Sequence, residues 1–212
     1  MVNAVIFDRD GIIIDSESIN IDSAIAAFEA LGIGIKEEEK QNIIGRHPDD
    51  YKEYFLKKYD FSYPEFRKIQ QETYYKLTDV VPYIHDTISL IKRLYSKGIT
   101  LAVNTSSQKE GTMKILEKAK IKNMFKVITT FEDYKNRKPD PESYLVTVKK
   151  LGFIPQSCIA IEDSLAGVTA AKAAGMKCIA IPNEYTKNQD LSKADLILDS
   201  ANQITIELLN KL

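Results

Sequence analysis

The chain has 212 residues, 44% of them hydrophobic and 28% charged, with a formal net charge of −1. That length supports one substantial core plus a smaller domain or insertion, and the balanced charge excludes a basic field that would draw it to nucleic acid or an anionic membrane. No apolar stretch approaches the roughly 20 residues that cross a bilayer, and the first residues lack the basic and apolar regions of a signal peptide, so a soluble cytoplasmic protein is expected, monomeric by default.

The first apolar run, residues 4–7, stops abruptly at Asp8-Arg9-Asp10-Gly11. Between residues 15 and 80 there is no strong strand signal, and four helical patterns follow one another over roughly 16–31, 36–44, 48–59 and 64–77. The next helix, 86–97, carries Ile88, Ile91 and Tyr95 at helical spacing and stops at Gly98, a good C-terminal cap. A strand over 99–103 delivers Asn104-Thr105-Ser106-Ser107, and another is expected at 127–130. Arg137-Lys138-Pro139 precedes a helix opened by Asp140 as N-cap with Pro141 at its first position, and Gly152 ends it. The strand 158–161 leads into Glu162-Asp163, then into an alanine-rich helix over 164–174. Short strands at 178–181 and 196–198 complete the alternation. Several strands are apolar at every position, as strands buried on both faces of a parallel sheet are. Cys158 and Cys178 each begin a CIAI run and are expected to be buried, reduced thiols.

This pattern predicts a doubly wound, parallel-sheet, Rossmann-like α/β core formed by residues 1–14 and 81–212, with an inserted four-helix cap over 15–80. In such sheets ligands bind beyond the carboxyl ends of the strands. One rim therefore collects four carboxylates (Asp8, Asp10, Glu162, Asp163), a hydroxyl cluster and Lys138. Carboxylates crowded in one cleft raise one another's pKa, and a hard divalent cation such as Mg²⁺ relieves that. The set suits phosphoryl transfer: an aspartate attacks phosphorus while cation and lysine neutralise the phosphoryl oxygens, and Asp10 exchanges protons with the leaving or attacking oxygen. Gly11 permits the sharp turn that brings backbone N–H groups towards a phosphate.

The four segments DRDGIIIDSE, VNTSS, RKPDPESY and IEDSLAGVTAAKAAGM occur in an order that spans nearly the whole chain. Together they resemble the haloacid dehalogenase superfamily, in its β-phosphoglucomutase-like branch with a helical cap. The resemblance implies Asp8 as nucleophile, Asp10 as general acid and base, Thr105 as phosphoryl-binding hydroxyl and Lys138 as charge stabiliser. It also implies that Asp8, the backbone carbonyl of Asp10, Glu162 and Asp163 hold Mg²⁺, with Glu162 the less direct ligand. Gly11, Ser106 and Ser107 join Thr105 and Lys138 as candidate phosphate contacts; Ser107 could equally start the next helix.

Arg9 is expected to point away from the two aspartates, because directions alternate along a strand end. Its role is read as charge compensation or a surface pair, against a sharper reading as a cation contacting substrate. In the cap, Gly45-Arg46-His47 lies where relatives place a substrate-specificity loop, and Arg46 is the candidate to clasp a distal phosphate or carboxylate. The mutase pattern has a cap histidine and a cap arginine where this chain has Asn20 and Pro48. The expected activity is thus a Mg²⁺-dependent phosphatase acting on a small phosphorylated metabolite, a sugar phosphate first, through an aspartyl-phosphate. The alternatives are a phosphomutase and a non-catalytic sugar-phosphate sensor.

Overall fold

Ala4–Phe7 forms strand β1, fully buried along its length. In the computed structural model, which describes residues 2–44, 46, 48–77 and 80–212, it is followed by helices α1 (Glu17–Ala30), α2 (Glu37–Lys40), α3 (Pro48–Leu56), α4 (Tyr63–Leu77) and α5 (His85–Ser96). Then come β2 (Thr100–Asn104), α6 (Lys109–Lys118), β3 (Val127–Thr129), α7 (Glu142–Leu151), β4 (Cys158–Glu162), α8 (Leu165–Ala173), β5 (Lys177–Ala180), β6 (Leu196–Ile197) and α9 (Ile206–Lys211). Among the described residues the strands form one sheet in the order β3-β2-β1-β4-β5-β6, parallel throughout. The α/β core with a helical cap is therefore present as the residue pattern predicts.

Register places the site. Phe7 lies opposite Val103 on β2 and Ile161 on β4, so the residues after all three strands emerge at one edge. Strand pairing extends past β1, where the Asp8 N–H donates to the Ile161 carbonyl at 2.9 Å. One sheet face carries small residues at alternate positions: Ala4, Ala102, Cys158, Ala160, Cys178 and Ala180 are all buried in one cluster. Short side chains there let α7 and α8 approach closely, and Tyr144, Val148, Val168 and Ala171 fill the space between. Cys158 and Cys178 are buried free thiols.

The boundaries differ from the predicted ones by small, explicable amounts. β2 and β5 each sit one residue away from the predicted span. Helix α7 opens at Glu142 with Pro141 as its N-cap, not Asp140; the Asp140 carboxylate still accepts from the Glu142 N–H at 2.9 Å. Helix α2 is a single turn inside the predicted 36–44 span. Helix α6, for which the sequence pattern set no bounds, buries Gly111, Thr112, Ile115 and Leu116.

The chain divides into two compact units, Met1–Ile14 with Tyr83–Leu212, and Asp15–Pro82. The second unit is built on aromatics. The Phe28 ring of α1 lies 4.7 Å from Phe55 on α3 and 4.4 Å from Phe66 on α4, centroid to centroid, at the close end of aromatic pair spacings. Glu39 is buried beside this core. It accepts from Lys58 Nζ at 2.6 Å, from the Lys36 N–H at 2.8 Å and from the Tyr59 hydroxyl. Chiefly through the Lys58 ammonium, these contacts pull the Glu39 carboxyl down from 4.5 to about 2. A depressed carboxyl stabilises the fold above its unfolded pKa, and that stability is lost as pH falls through the folded value. Glu39→Gln should therefore cost roughly 1–3 kcal/mol at neutral pH. In urea titrations the gap between wild type and variant should shrink between about pH 4.5 and pH 2.

Among the described residues no helix is long and apolar enough to cross a membrane.

Candidate active site

The edge of β1 begins the site. Asp8 is 7% exposed, and the chain turns sharply behind it: the Ile13 and Ile14 N–H groups both donate to the Arg9 carbonyl, at 2.8 and 3.1 Å. Gly11 sits in this turn at φ +73°, where a Cβ would stand 2.1 Å from Asp163 Oδ2. Only glycine fits there. The predicted turn is present, but the Gly11 N–H donates to the Ile14 carbonyl at 2.8 Å inside it. That N–H is thus already engaged, and the glycine's part is to give Asp163 room.

Lys138 reaches the same point from the loop before α7. Its Nζ lies 2.6 Å from Asp8 Oδ1 and 2.6 Å from Glu162 Oε1, and 3.3 Å from the Asn104 carbonyl. The Tyr144 hydroxyl also donates to Glu162 Oε1, at 2.6 Å, and its ring lies under the ammonium at 4.9 Å. Among the described residues, Glu162 Oε2 is buried with no hydrogen-bond partner. The carboxylate lies so close over α8 that a Cβ at Gly167 would stand 1.9 Å from Oε2. Gly167→Ala should therefore displace Glu162, loosen Lys138 and lower kcat by roughly 10–100-fold, as misplacement of a site by about 1 Å does; steady-state kinetics on the folded variant checks it.

Asp163, 8% exposed, completes the acid cluster. Carboxylate oxygens of Asp8, Glu162 and Asp163 all lie within 4.8 Å of one another. Burial first, then the neighbouring carboxylates, pushes the Asp163 carboxyl well above its usual range. Burial likewise raises Asp8 to about 7, against the opposing pull of Lys138. Once all three acids are ionised they outweigh the single ammonium, and a divalent cation brings the balance to zero. The donor set fits such an ion: hard oxygens in a tight group, with one carboxylate oxygen of Glu162 lacking a hydrogen-bond partner among the described residues.

The hydroxyl cluster turns towards Asp10. Thr105 Oγ1 donates to Asp10 Oδ2 at 3.2 Å, and Ser107 Oγ donates to the same oxygen at 2.9 Å. Ser106 is exposed, its hydroxyl accepting from Tyr134 at 3.2 Å. Ser107 does not start the helix, since α6 is capped by Gln108. Arg9 departs from expectation. It does not point away: Nη2 and Nε reach Asp10 Oδ1 and Oδ2 at 2.7 and 3.1 Å. Nor is it a surface residue, being 1% exposed. Side-chain alternation applies inside a strand, and Arg9 lies beyond the end of β1 in a tight turn. Charge compensation is the reading that stands.

Arg46 is exposed in the helical unit, while Gly45 and His47, the rest of that predicted loop, lie outside the described residues. Asn183 was missed by sequence reasoning. Its Nδ2 donates to Asp163 Oδ2 at 2.9 Å, and its Oδ1 accepts from the Tyr185 and Thr186 N–H groups. The signal was its position: it follows β5 at the edge where the other site residues follow their strands.

The profile of the haloacid dehalogenase-like hydrolase family matches residues 5–181. The chain belongs to this family. It is 31% identical over 216 residues to a Bacillus subtilis (strain 168) protein named "Putative phosphatase YhcW", covering 99% of this chain and 96% of that one. It is 29% identical to the phosphorylated carbohydrates phosphatase of Thermotoga maritima, covering 84% of each. The solved β-phosphoglucomutase of Clostridium difficile superposes with a TM-score of 0.81 at 29% identity, over 100% of this chain and 96% of that one. This haloacid dehalogenase-like hydrolase is thus an enzyme of the phosphatase kind, in the β-phosphoglucomutase-like branch.

Proposed function

We propose that the enzyme is a Mg²⁺-dependent phosphatase that removes the phosphoryl group from a small phosphorylated sugar by way of a phospho-Asp8 intermediate. The observation that carries this reading is the buried Asp8–Lys138–Glu162 chain with Asp163 beside it. Such an arrangement is costly to bury and has a use where a carboxylate must attack an anionic phosphoryl group. The relative named for phosphorylated carbohydrates supports the substrate class.

Asp8 Oδ1 is engaged by Lys138, which leaves Oδ2 to attack phosphorus as the bond to the sugar oxygen breaks. Asp10 gives its proton to that departing oxygen. Lys138, with Thr105, Ser106 and Ser107, steadies the phosphoryl oxygens. Water then attacks the phosphorus of phospho-Asp8, Asp10 takes a proton from it, and the bond to Asp8 breaks to release phosphate. Asp8, the Asp10 carbonyl, Glu162 and Asp163 would hold Mg²⁺, which when bound supplies charge neutralisation at the phosphoryl oxygens. Arg46 would grip a distal anionic group of the substrate.

The test is phosphate release across hexose and pentose phosphates, with Mg²⁺ and with EDTA, followed by phosphorus NMR. Steady release that EDTA removes and Mg²⁺ restores is expected. β-Glucose 1-phosphate should give little glucose 6-phosphate even with glucose 1,6-bisphosphate added, since Asn20 and Pro48 stand at the two cap positions named above. Accumulation of glucose 6-phosphate much faster than free phosphate would make the enzyme a mutase, and full activity in EDTA would remove the metal from the account.

A further inference from the structure

The largest fully buried side chain of the α/β unit is Arg9, whose residue is 1% exposed. A guanidinium taken out of water is retained only where it is well paired. Its pairing is specific. Nη2 and Nε grip the two oxygens of Asp10 in a fork at 2.7 and 3.1 Å. Nη2 also donates to Ser107 Oγ at 2.7 Å, and Nη1 to Thr112 Oγ1 on α6 at 3.2 Å. Thr112 in turn is anchored to the Gln108 carbonyl at 2.8 Å. Asp10 itself is a third exposed. The carboxylate thus faces outward from a cation that is wholly shielded behind it, too deep to touch substrate.

We propose that Arg9 is a positioning residue that holds Asp10 in place for proton transfer throughout the catalytic cycle; this rests on the acid–base role of Asp10 given above. The reason lies in donor counting. Thr105 and Ser107 each have one hydroxyl proton, and both give it to Asp10 Oδ2. When a phosphoryl group arrives those hydroxyls turn to its oxygens, and Asp10 loses both hydroxyl donors at the moment it must act. The guanidinium N–H groups lie behind Asp10 and are not subject to that competition. They keep the carboxyl anchored, Nη2 at Oδ1 and Nε at Oδ2, while Oδ2, the oxygen also turned to the hydroxyl cluster, carries the proton.

The consequence is read through the leaving group. A sugar alkoxide is a poor leaving group and needs the proton from Asp10; p-nitrophenolate departs without one. The ratio kcat/KM reports events up to phosphoryl transfer to Asp8, so dephosphorylation does not obscure the comparison. Arg9→Met should lower kcat/KM about 30–100-fold for the hexose phosphate that the wild type turns over fastest, a loss within the range of general-acid catalysis. For p-nitrophenyl phosphate it should change by no more than about threefold, with the loss lying in kcat and not in KM. Arg9→Lys should recover part of the difference. Thr112→Val removes one anchor of Arg9 from outside the site and should reproduce the pattern at smaller size, which keeps the test available if Arg9→Met does not fold. Equal losses on both esters in a folded variant, or none on either, would overturn the inference. Asp10→Asn is the control: it should show the same selectivity more severely, and unimpaired hexose phosphate turnover in that variant would sink the acid–base reading itself.

Discussion

Asp8→Asn should lower turnover by at least roughly 10,000-fold, as removal of a nucleophile does. An amide is too weakly nucleophilic to form the acyl phosphate. The fold should survive. Asp8 lies past the end of β1, its backbone N–H keeps the bond to Ile161, and Lys138 keeps Glu162 at 2.6 Å. The amide is also isosteric. A melting temperature within about 4 °C of wild type, beside lost turnover, is the expected pair of results. Near-normal turnover would remove Asp8 from the mechanism.

Lys138→Met should damage both stability and chemistry. The lysine side chain is 8% exposed and bridges two carboxylates, of which Glu162 is 1% exposed. Removing the ammonium leaves two buried acids without their counter-ion, a change that typically costs about 3–5 kcal/mol. Asp8 is already raised to about 7 with Lys138 present; without it the carboxyl holds its proton more firmly and is a poorer nucleophile. The phosphoryl oxygens lose their fixed cation as well, so kcat should fall roughly 1,000-fold. Lys138→Arg should not rescue, because a planar fork does not fit between two oxygens 2.6 Å from one nitrogen. Denaturant titration and steady-state kinetics check the two halves; a stability change below about 1 kcal/mol would mean the pair is not buried as described.

The strands were legible because burial on both faces leaves so little choice of residue: β1, β2 and β4 read as apolar runs, and their parallel register carries Asp8, Thr105 and Asp163 to one edge. Lys138 was legible from Pro-Asp-Pro behind it and its place before α7. Other features depended on geometry that no local pattern encodes. Arg9 folds back on Asp10 because the strand has ended and the turn reverses its direction. Asn183 carries no motif, and its contact with Asp163 arises only where the loop after β5 meets that carboxylate. Gly167 looks like one more small residue in an alanine-rich helix until the Glu162 carboxylate is seen lying over it. Helix α2 is a single turn, and Glu39 within its acidic run is buried and paired with Lys58 and Tyr59, which the run of charges does not reveal.

The covalent route through Asp8 is tested most directly by trapping it. Wild-type enzyme turning over a hexose phosphate with Mg²⁺ is quenched in acid, treated with hydroxylamine, digested and mapped by mass spectrometry. An acyl phosphate yields a hydroxamate on the carboxyl that bore it. The expected result is that modification on the peptide containing Asp8, at Asp8 itself, absent without substrate and absent in Asp8→Asn. Phosphate release with no hydroxamate at Asp8, or with one on another carboxylate, would contradict the account.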